Sequence, residues 1–264
     1  MSQEISGLKL AALITAELTK PDSFDAKLKI ILVGSDPASM RYVGKKKAKA
    51  EVLGVSFELK TFDQNVAEDE LIDQITSWQQ EDGNVGIIVQ LPLPKTIDRN
   101  KVISSIKAEN DVDGLRFCAE LDSDYTPPVV RAIDRVIDEI GSIDQKKVVI
   151  IGQGFLVGSP LKHFIESKYL NSEVVALGKN DNNWHEQIKS ADILIGAAPV
   201  KEIITADMIK DGVVLIDAGS SEEDNAISGN FTKECYEKAS FYTPVPGGIG
   251  PLTVAMIFQN LLSS

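Results

Sequence analysis

The chain has 264 residues, of which 43% are hydrophobic and 25% are charged, and its formal net charge is −12 at pH 7. This length suits one large or two ordinary domains, and the acidic balance argues against a general nucleic-acid binder or a protein of anionic membranes. The two cysteines lack metal-ligand spacing and fit a reducing compartment, and two histidines exclude a His-rich metal site. No apolar run reaches membrane-spanning length and no secretion signal is evident, so we expect a cytoplasmic protein.

The first half of the chain alternates between helix and strand patterns. An amphipathic helix is predicted at 8–18 and a strand at 27–33. Pro37 follows a capping residue and suits the first turn of a helix, and Gly54 is a typical residue at a helix C-terminus. A helix is therefore predicted from 37 to 53. Further elements are predicted in this order: strand 55–62, helix 68–80, strand 85–91 and a short helix 101–106. The β-α-β-α-β order predicts a parallel sheet with right-handed crossovers.

A turn-rich segment at 125–128 is predicted to separate two domains. Thr126 can cap and Pro127 can begin a helix that Gly141 ends. Beyond it a second α/β run is predicted, with strands at 148–151, 173–177, 193–197 and 213–218, helices at 160–167, 184–189 and 206–210, and an apolar terminal helix at 252–262. We therefore predict a first domain of residues 1–126, completed by 251–264, and a second domain of residues 127–250.

The strand at 148–151 runs into a glycine-rich turn, with Gly152 and Gly154 followed by Gly158. A parallel strand, a tight turn and a helix N-terminus leave backbone N–H groups aimed at one point, which suits a phosphate. The usual fingerprint is G-x-G-x-x-G, and here the third glycine comes one residue later. Nucleotide binding is predicted, and a turn that serves only strand-to-helix packing is the alternative.

The helix that follows Pro37 concentrates positive charge in an acidic chain. Tyr42 and Lys46 are four residues apart and therefore share a helix face. A lysine beside a phenol in an apolar cleft can have a lowered pKa and act as an acid or a base. For most of the basic residues on this helix, a solvated face is the better interpretation.

Gln90 interrupts an apolar strand at its carboxyl end, where ligands lie in open α/β sheets. Its amide could donate to a substrate oxygen, hold the lysine in place or cap loop backbone. Asp111 and Asp113 flank Val112 in a tight loop, and either carboxylate could anchor the N–H groups of a heterocycle. Turn formation explains the two aspartates equally well.

Together these motifs resemble the methylenetetrahydrofolate dehydrogenase/methenyltetrahydrofolate cyclohydrolase family, in the right order over essentially the whole chain. The Val-Gln-Leu-Pro-Leu-Pro and Pro-Val-Pro-Gly-Gly-x-Gly-Pro segments are highly specific to it. The motifs that carry the resemblance are Ser39-x-x-Tyr42-Val43-x-x-Lys46, Val89-Gln90-Leu91-Pro92-Leu93-Pro94, Asp111-Val112-Asp113-Gly114, Thr126-Pro127 and Thr243-Pro244-Val245-Pro246-Gly247-Gly248-Ile249-Gly250-Pro251-Leu252-Thr253.

The resemblance implies a two-domain α/β fold, with an N-terminal α/β folate domain and a C-terminal Rossmann-type doubly wound parallel sheet that holds NADP. It implies a homodimer that oxidises 5,10-methylene-tetrahydrofolate to the 5,10-methenyl form and hydrolyses this to 10-formyl-tetrahydrofolate, within the one-carbon metabolism that serves purine biosynthesis. By position, Lys46 is the essential lysine of the cyclohydrolase step and Gln90 supports it. Tyr42 contacts the folate, and Asp113 binds the pterin-like ring.

Two sets of binding residues are predicted, and no metal site is predicted. The folate site comprises Tyr42, Val89, Gln90, Leu91, Pro92, Asp113, Gly247, Gly248, Ile249 and Pro251. The nucleotide site comprises Gly152, Gln153, Gly154, Val157, Gly158, Lys179, Ala197, Ala198 and Thr253.

The nucleotide motifs depart from the family pattern more than the folate motifs do. Gln153 and Gly154 stand where the family usually has Arg-Ser or a similar pair, and Gly178 and Lys179 stand where it usually has His-Ser or His-Arg. No acid is expected at this strand end to bind a ribose 2′-hydroxyl, which counts against NAD. Lys179 could neutralise a 2′-phosphate, which favours NADP.

Three alternatives stay open at this stage. The chain could keep only one of the two activities, or it could be a non-catalytic folate- or nucleotide-binding regulatory subunit. A dehydrogenase of amino-acid type would share the two-domain layout, but it would not need the Val-Gln-Leu-Pro-Leu-Pro strand.

Overall fold

The computed structural model describes residues 2–18, 25–219, 221–223 and 226–263. The chain divides into two compact units. The N-terminal unit comprises Ala12–Pro128 and Val254–Ser264, and the C-terminal unit comprises Met1–Ala11 and Val129–Thr253. Each unit carries its own parallel sheet with helices, so the chain has the α/β fold that the sequence predicts.

The described residues form the following elements in chain order. The strands are β1 (Gln3–Glu4), β2 (Ala26–Val33), β3 (Ser56–Phe62), β4 (Asn84–Val89), β5 (Lys147–Ile151), β6 (Glu173–Leu177), β7 (Ile193–Gly196), β8 (Val214–Asp217), β9 (Ser221–Glu223), β10 (Ala226–Ser228) and β11 (Phe241–Tyr242). The α-helices are α1 (Gly7–Leu18), α2 (Pro37–Leu53), α3 (Glu68–Trp78), α4 (Arg99–Ser104), α5 (Leu115–Cys118), α6 (Pro128–Ile140), α7 (Gly158–Lys168), α8 (Trp184–Ser190), α9 (Lys233–Lys238) and α10 (Ile249–Leu262).

The N-terminal unit is organised around β2, which lies between β3 and β4 in a three-stranded sheet. The apolar run of β2 leaves Leu28, Ile30 and Ile31 with no exposed surface, as expected for the middle strand of a parallel sheet. The C-terminal part of α10 packs Phe258 and Leu261 into the same core. The last helix of the chain therefore completes this unit.

Helix α2 has the ends that the sequence predicts. The Asp36 carboxylate accepts a hydrogen bond from the Ser39 N–H (2.8 Å), and Pro37 occupies the first turn. Gly54 ends the helix in the left-handed conformation, with φ of 69°. Helical spacing then turns these side chains to the buried face: Ser39, Val43, Lys46 and Ala50.

The C-terminal unit contains a six-stranded sheet in the order β1-β11-β8-β7-β5-β6, and all neighbouring strands in it are parallel. From β5 the chain passes to β6 on one side and then to β7 on the other. In such doubly wound sheets, ligands bind outside the carboxyl ends of the strands at the point where the order reverses. The turn at Gly152 follows β5 and therefore lies at this point.

Residues 206–210 form turns, so the helix predicted there is wrong. Lysine side chains from other segments satisfy the carbonyl groups that a helix would pair internally. The Lys238 ammonium donates to the Ala206 carbonyl (2.9 Å), and that of Lys189 donates to the Ile209 carbonyl (3.1 Å). These tertiary contacts stabilise the turns in place of local helical hydrogen bonds.

The start of the chain belongs to the C-terminal unit. Strand β1 pairs with β11, with Gln3 opposite Phe241, and a Cβ at Gly7 would overlap the Gly248 carbonyl. The predicted boundaries therefore differ from the structure at residues 1–11, and also at 251–253, which cluster with the C-terminal unit. A two-residue strand is too short to produce a recognisable alternation of apolar and polar residues.

Within the described ranges, no helix combines the length and the apolar character needed to cross a bilayer.

Candidate active site

A buried lysine and a glutamine form the polar centre of the N-terminal unit. Helix α2 carries Lys46 on its inner face with only 6% of its surface exposed. Its Nζ donates to Gln90 Oε1 over 3.0 Å. The Gln90 N–H donates to the Ile31 carbonyl (2.9 Å), and its Nε2 donates to the Leu91 carbonyl (3.1 Å). The glutamine is thus held at the carboxyl end of β4 with its side-chain oxygen directed at the lysine.

The environment of Lys46 makes its ammonium form less favourable than it is in water. Burial lowers the pKa of Lys46, and the negative charge of Asp113 partly opposes this shift. A lysine that loses its proton more easily is better able to accept and return a proton during a reaction. The pair of Lys46 and Gln90 is therefore suited to acid–base chemistry. A contact that served only packing would not need a lysine in this position.

The structure separates the two aspartates that the sequence left equivalent. Asp111 has no exposed surface, and its carboxylate accepts the N–H groups of Leu115 (3.0 Å) and Arg116 (2.7 Å) at the start of α5. Burial raises the pKa of Asp111 to about 7, and these backbone hydrogen bonds oppose the shift. Asp113 is half-buried, and its charge reaches Lys46. Asp111 therefore shapes the loop, and Asp113 is the aspartate available to the site.

The other predicted folate-site residues of this unit surround the same strand end and helix face. Tyr42 is half-buried, one helical turn before Lys46, and the Lys45 ammonium lies 5.2 Å from its ring centroid. Val89 is fully buried in the sheet, so only its backbone is available to a ligand. Leu91 is half-buried and Pro92 is exposed, and the peptide bond between them is cis.

The remaining predicted folate residues, Gly247, Gly248, Ile249 and Pro251, lie in the C-terminal unit. Gly247 has φ of 108°, and a Cβ at Gly248 would lie 2.5 Å from the Pro244 carbonyl oxygen, so this turn requires both glycines. Ile249 is buried at the start of α10, and Pro251 is half-buried.

The glycine turn after β5 leaves space where a phosphate would lie. Gly152 has φ of 110°, and a Cβ there would lie 2.7 Å from the Ala197 carbonyl oxygen. A Cβ at Gly158 would overlap the Gly152 carbonyl, whereas one at Gly154 would meet no atom within 4 Å. Gly152 and Gly158 therefore serve close packing, and Gly154 faces open space. Helix α7 begins after Val157 without a side-chain cap, so its N-terminus fits a bound phosphate.

The end of β6 carries both a lysine and an acid. Lys179 is exposed, while Asp181 accepts the Gly178 N–H (2.7 Å). An acid does therefore lie at this strand end, contrary to the sequence-based expectation, but the Gly178 amide engages its carboxylate. Gln153 donates to the Ala176 carbonyl (2.8 Å). A cavity of about 410 Å³ adjoins this region and is lined by Gln153, Ser159, Lys162, His163, Glu166 and Ala176.

The last predicted cofactor residues differ in their environments. Ala197 is half-buried after β7, and both backbone groups of Ala198 bond to the Asn230 side chain. The Thr253 hydroxyl donates to the Ile249 carbonyl (2.9 Å) within α10. Sequence reasoning missed Asn230, although a polar residue directly after a glycine and before Phe231 is a weak signal of a buried turn.

These features describe an α/β protein with a buried lysine of lowered pKa in one unit and a glycine-rich turn after a strand in the other. The chain belongs to the tetrahydrofolate dehydrogenase/cyclohydrolase family. Residues 5–113 match the family model of the catalytic domain, and residues 127–264 match that of the NAD(P)-binding domain. The family resemblance and the two-domain fold class predicted from the sequence are thereby confirmed.

Individual relatives agree over the full length. The chain is 37% identical to the bifunctional protein FolD of Aquifex aeolicus, covering 100% of this chain and 95% of that protein. The crystal structure of the bifunctional FolD methylenetetrahydrofolate dehydrogenase/cyclohydrolase from Campylobacter jejuni is similar with a TM-score of 0.91 and 29% identity, covering 100% of this chain and 98% of that chain. The Trypanosoma brucei enzyme, complexed with NADP and an inhibitor, is similar with a TM-score of 0.90 and 26% identity, covering 99% of this chain and 96% of that chain.

Proposed function

We propose that this protein oxidises 5,10-methylene-tetrahydrofolate with NADP and hydrolyses the 5,10-methenyl product to 10-formyl-tetrahydrofolate. The observation that carries the proposal is the hydrogen bond of 3.0 Å between the buried Lys46 and Gln90, which the charge of Asp113 reaches. A non-catalytic folate-binding subunit would not need a lysine whose pKa is lowered by burial. The bifunctional relatives support both activities over the whole chain.

The hydrolytic step is assigned to the N-terminal unit. Water attacks the one-carbon bridge of the methenyl cation, and the amine of Lys46 accepts one proton from this water. The resulting ammonium returns that proton to the folate nitrogen as the bond between this nitrogen and the one-carbon unit breaks, and the remaining hydroxyl proton passes to solvent as the formyl C=O forms. Gln90 keeps the lysine in place through its side-chain oxygen. Asp113 is proposed to bind the N–H groups of the pterin-like ring, and Tyr42 to lie against the folate.

The same proposal assigns the remaining folate contacts to residues of each unit. The strand end supplies backbone and apolar contacts through Val89, Leu91 and Pro92. The segment that starts α10 supplies Gly247, Gly248, Ile249 and Pro251. The two glycines have no side chain, so their backbone groups are open to a ligand.

The C-terminal unit is proposed to hold the nucleotide. When bound, NADP supplies the acceptor for the hydride that leaves the one-carbon bridge, and this oxidation requires no protein base. Gly152, Gly154 and the N-terminus of α7 would hold the pyrophosphate. Lys179 would face the 2′-phosphate. The remaining contacts are assigned to Gln153, Val157, Gly158, Ala197, Ala198 and Thr253.

We further propose that the enzyme is a cytoplasmic homodimer and that its partners are one-carbon derivatives of tetrahydrofolate. The net charge of −12 supports a protein without affinity for nucleic acids or anionic membranes. The product, 10-formyl-tetrahydrofolate, supports a role in purine biosynthesis.

A spectroscopic assay tests the proposed function. Purified protein is given methylene-tetrahydrofolate with NADP or with NAD, and both reduced cofactor and methenyl product are followed. We expect NADP reduction without lasting methenyl accumulation. Accumulation of methenyl product would indicate a dehydrogenase without hydrolysis, and no reduction with either cofactor would favour a binding subunit. A preference for NAD would contradict the assignment of Lys179.

A further inference from the structure

Three buried polar side chains lie behind the loops at the carboxyl ends of β7 and β8. Asp217 is 1% exposed, and Asn230 and Thr243 are 0% exposed. The catalytic steps proposed above do not use them. Burial of such groups is costly unless each is hydrogen-bonded, so their partners show what they hold in place.

Asn230 clamps the loop that follows β7. Its Oδ1 accepts the Ala198 N–H (3.0 Å), and its Nδ2 donates to the carbonyl groups of Ala198 (2.9 Å) and Val200 (2.6 Å). One amide therefore replaces the partners that a neighbouring strand would give to this loop. The position of Ala198 depends on a side chain 32 residues away.

Asp217 connects this clamp to two further loops. Its carboxylate accepts the N–H groups of Asn230 (2.8 Å) and Gly219 (3.0 Å). The Asp217 N–H donates to the Thr243 hydroxyl oxygen (2.8 Å). Thr243 begins the segment that contains Gly247. The network of Asp217, Asn230 and Thr243 thus ties the loop after β7 to the segment before α10.

Three glycines leave the space that this network occupies. A Cβ at Gly196 would lie 2.7 Å from Asn230 Oδ1, and a Cβ at Gly219 would overlap the same amide. A Cβ at Gly229 would overlap the Asp217 carboxylate. The backbone therefore closes tightly around both side chains, which restricts the loops to one arrangement.

We propose that Asn230 is a positioning residue for NADP, which acts by fixing the backbone of Ala197–Val200 through the network of Asp217, Asn230 and Thr243. This inference rests on the proposed function, in which Ala197 and Ala198 contact the cofactor. The three side chains are buried, so they act on the nucleotide only through the backbone that they hold.

The variant Asn230→Asp keeps the shape and Oδ1 but replaces the Nδ2 donor, so both bonds to the carbonyl groups are lost. Two hydrogen bonds of about 1 kcal/mol each correspond to about a 30-fold change in binding. We expect the dissociation constant for NADP, measured by calorimetric titration, and the KM for NADP to rise by about this factor. Hydrolysis of methenyl-tetrahydrofolate without NADP should stay within about twofold of the unmodified protein.

Asn260→Asp is the matched control in the N-terminal unit. The Asn260 amide also donates to two carbonyl groups, those of Val112 (2.9 Å) and Thr126 (3.3 Å). This substitution should slow methenyl hydrolysis and leave the NADP dissociation constant unchanged. Thr243→Val, which removes only the acceptor of the Asp217 N–H, provides a milder variant and should weaken NADP binding by about fivefold.

The outcomes separate the two proposals. If the unmodified protein binds no NADP, the proposed function is wrong. If it binds NADP but the folded Asn230 and Thr243 variants bind it equally well, or lose binding and hydrolysis in equal proportion, Asn230 has only a structural role. If Asn230→Asp does not fold, Thr243→Val replaces it in the test. Weaker NADP binding with unchanged methenyl hydrolysis in Thr243→Val then supports the proposal, and unchanged NADP binding contradicts it.

Discussion

The two units place polar groups at the carboxyl ends of their strands in different ways. In the N-terminal unit, the candidate site consists of polar side chains, with Lys46 on α2 and Gln90 directly after β4. In the C-terminal unit, the turn at Gly152 presents backbone N–H groups to a ligand. The buried side chains of Asp217 and Asn230, elsewhere in this unit, hold the neighbouring loops in place. A site of side chains needs particular residue types, whereas a site of backbone groups needs shape. The second can therefore tolerate Gln153 in place of the family's usual arginine.

The largest effect is expected for Lys46→Met. Removal of the proton-transfer group should slow methenyl hydrolysis by about 10²- to 10⁴-fold, while hydride transfer to NADP continues because it requires no protein base. Lys49→Met is the matched control, since burial also lowers the pKa of Lys49 on the same helix and its ammonium bonds to the Thr15 hydroxyl (2.8 Å). Hydrolysis that survives in Lys46→Met, or falls equally in Lys49→Met, would refute the assignment.

The buried carboxyl groups predict the pH dependence of stability in each unit. The pKa of Asp111 and the pKa of Asp217 are both raised to about 7 from 3.8, first by burial. Between about pH 4 and 7 the folded state keeps protons that the unfolded state has lost. The contribution of each of these two groups to the free energy of unfolding should therefore fall as pH rises through this window, by up to about 4 kcal/mol.

Chemical unfolding as a function of pH checks this sign, with Asp111→Asn and Asp217→Asn each expected to remove part of the slope. The variants are compared by the change of the free energy of unfolding with pH and not by its absolute value. Either substitution lowers the absolute value in any case, because it weakens the backbone hydrogen bonds that the carboxylate accepts. If the pH slope of the free energy of unfolding is unchanged in both variants, these hydrogen bonds outweigh burial at Asp111 and Asp217.

An intermediate effect is expected for Gln90→Leu. Loss of a hydrogen bond to a lysine corresponds to about 10- to 100-fold in rate, here in methenyl hydrolysis and not in NADP binding. Gln79→Leu is the control, because Gln79 is a glutamine of the same unit that bonds to the Ser105 carbonyl (3.1 Å). Gln90→Glu should raise the pKa of Lys46 and move the pH profile of hydrolysis to higher pH. An unchanged profile would show that residue 90 does not act on the lysine.

The smallest effect is expected for Lys179, at the proposed nucleotide site of the C-terminal unit. Because Lys179 is exposed, Lys179→Met should raise the KM for NADP by only about two- to fivefold and leave the KM for NAD unchanged. Lys162→Met is the control, since Lys162 lines the neighbouring cavity but pairs with Glu166 (3.1 Å). Equal changes with both cofactors would place Lys179 away from the 2′-phosphate.

Much of the fold was predictable from local signals. The ends of α2 were predicted correctly because Asp36 and Gly54 satisfy backbone groups within one turn of the helix. Strands β4 and β5 were predictable because their apolar runs are nearly continuous, and β3 because its apolar and polar residues alternate. The segment 206–210 was not, since lysines from distant segments bind its carbonyl groups.

The candidate site shows the same division between local and long-range information. The sequence by itself determined the family, the lysine and glutamine at the strand end, and the glycine turn, because each is a short motif with fixed spacing. Only the tertiary structure decided that Asp111 caps α5 while the charge of Asp113 reaches Lys46, and that Asn230 holds the loop at Ala198. These outcomes depend on burial and on contacts between residues far apart in the chain, which no local pattern of residue types specifies.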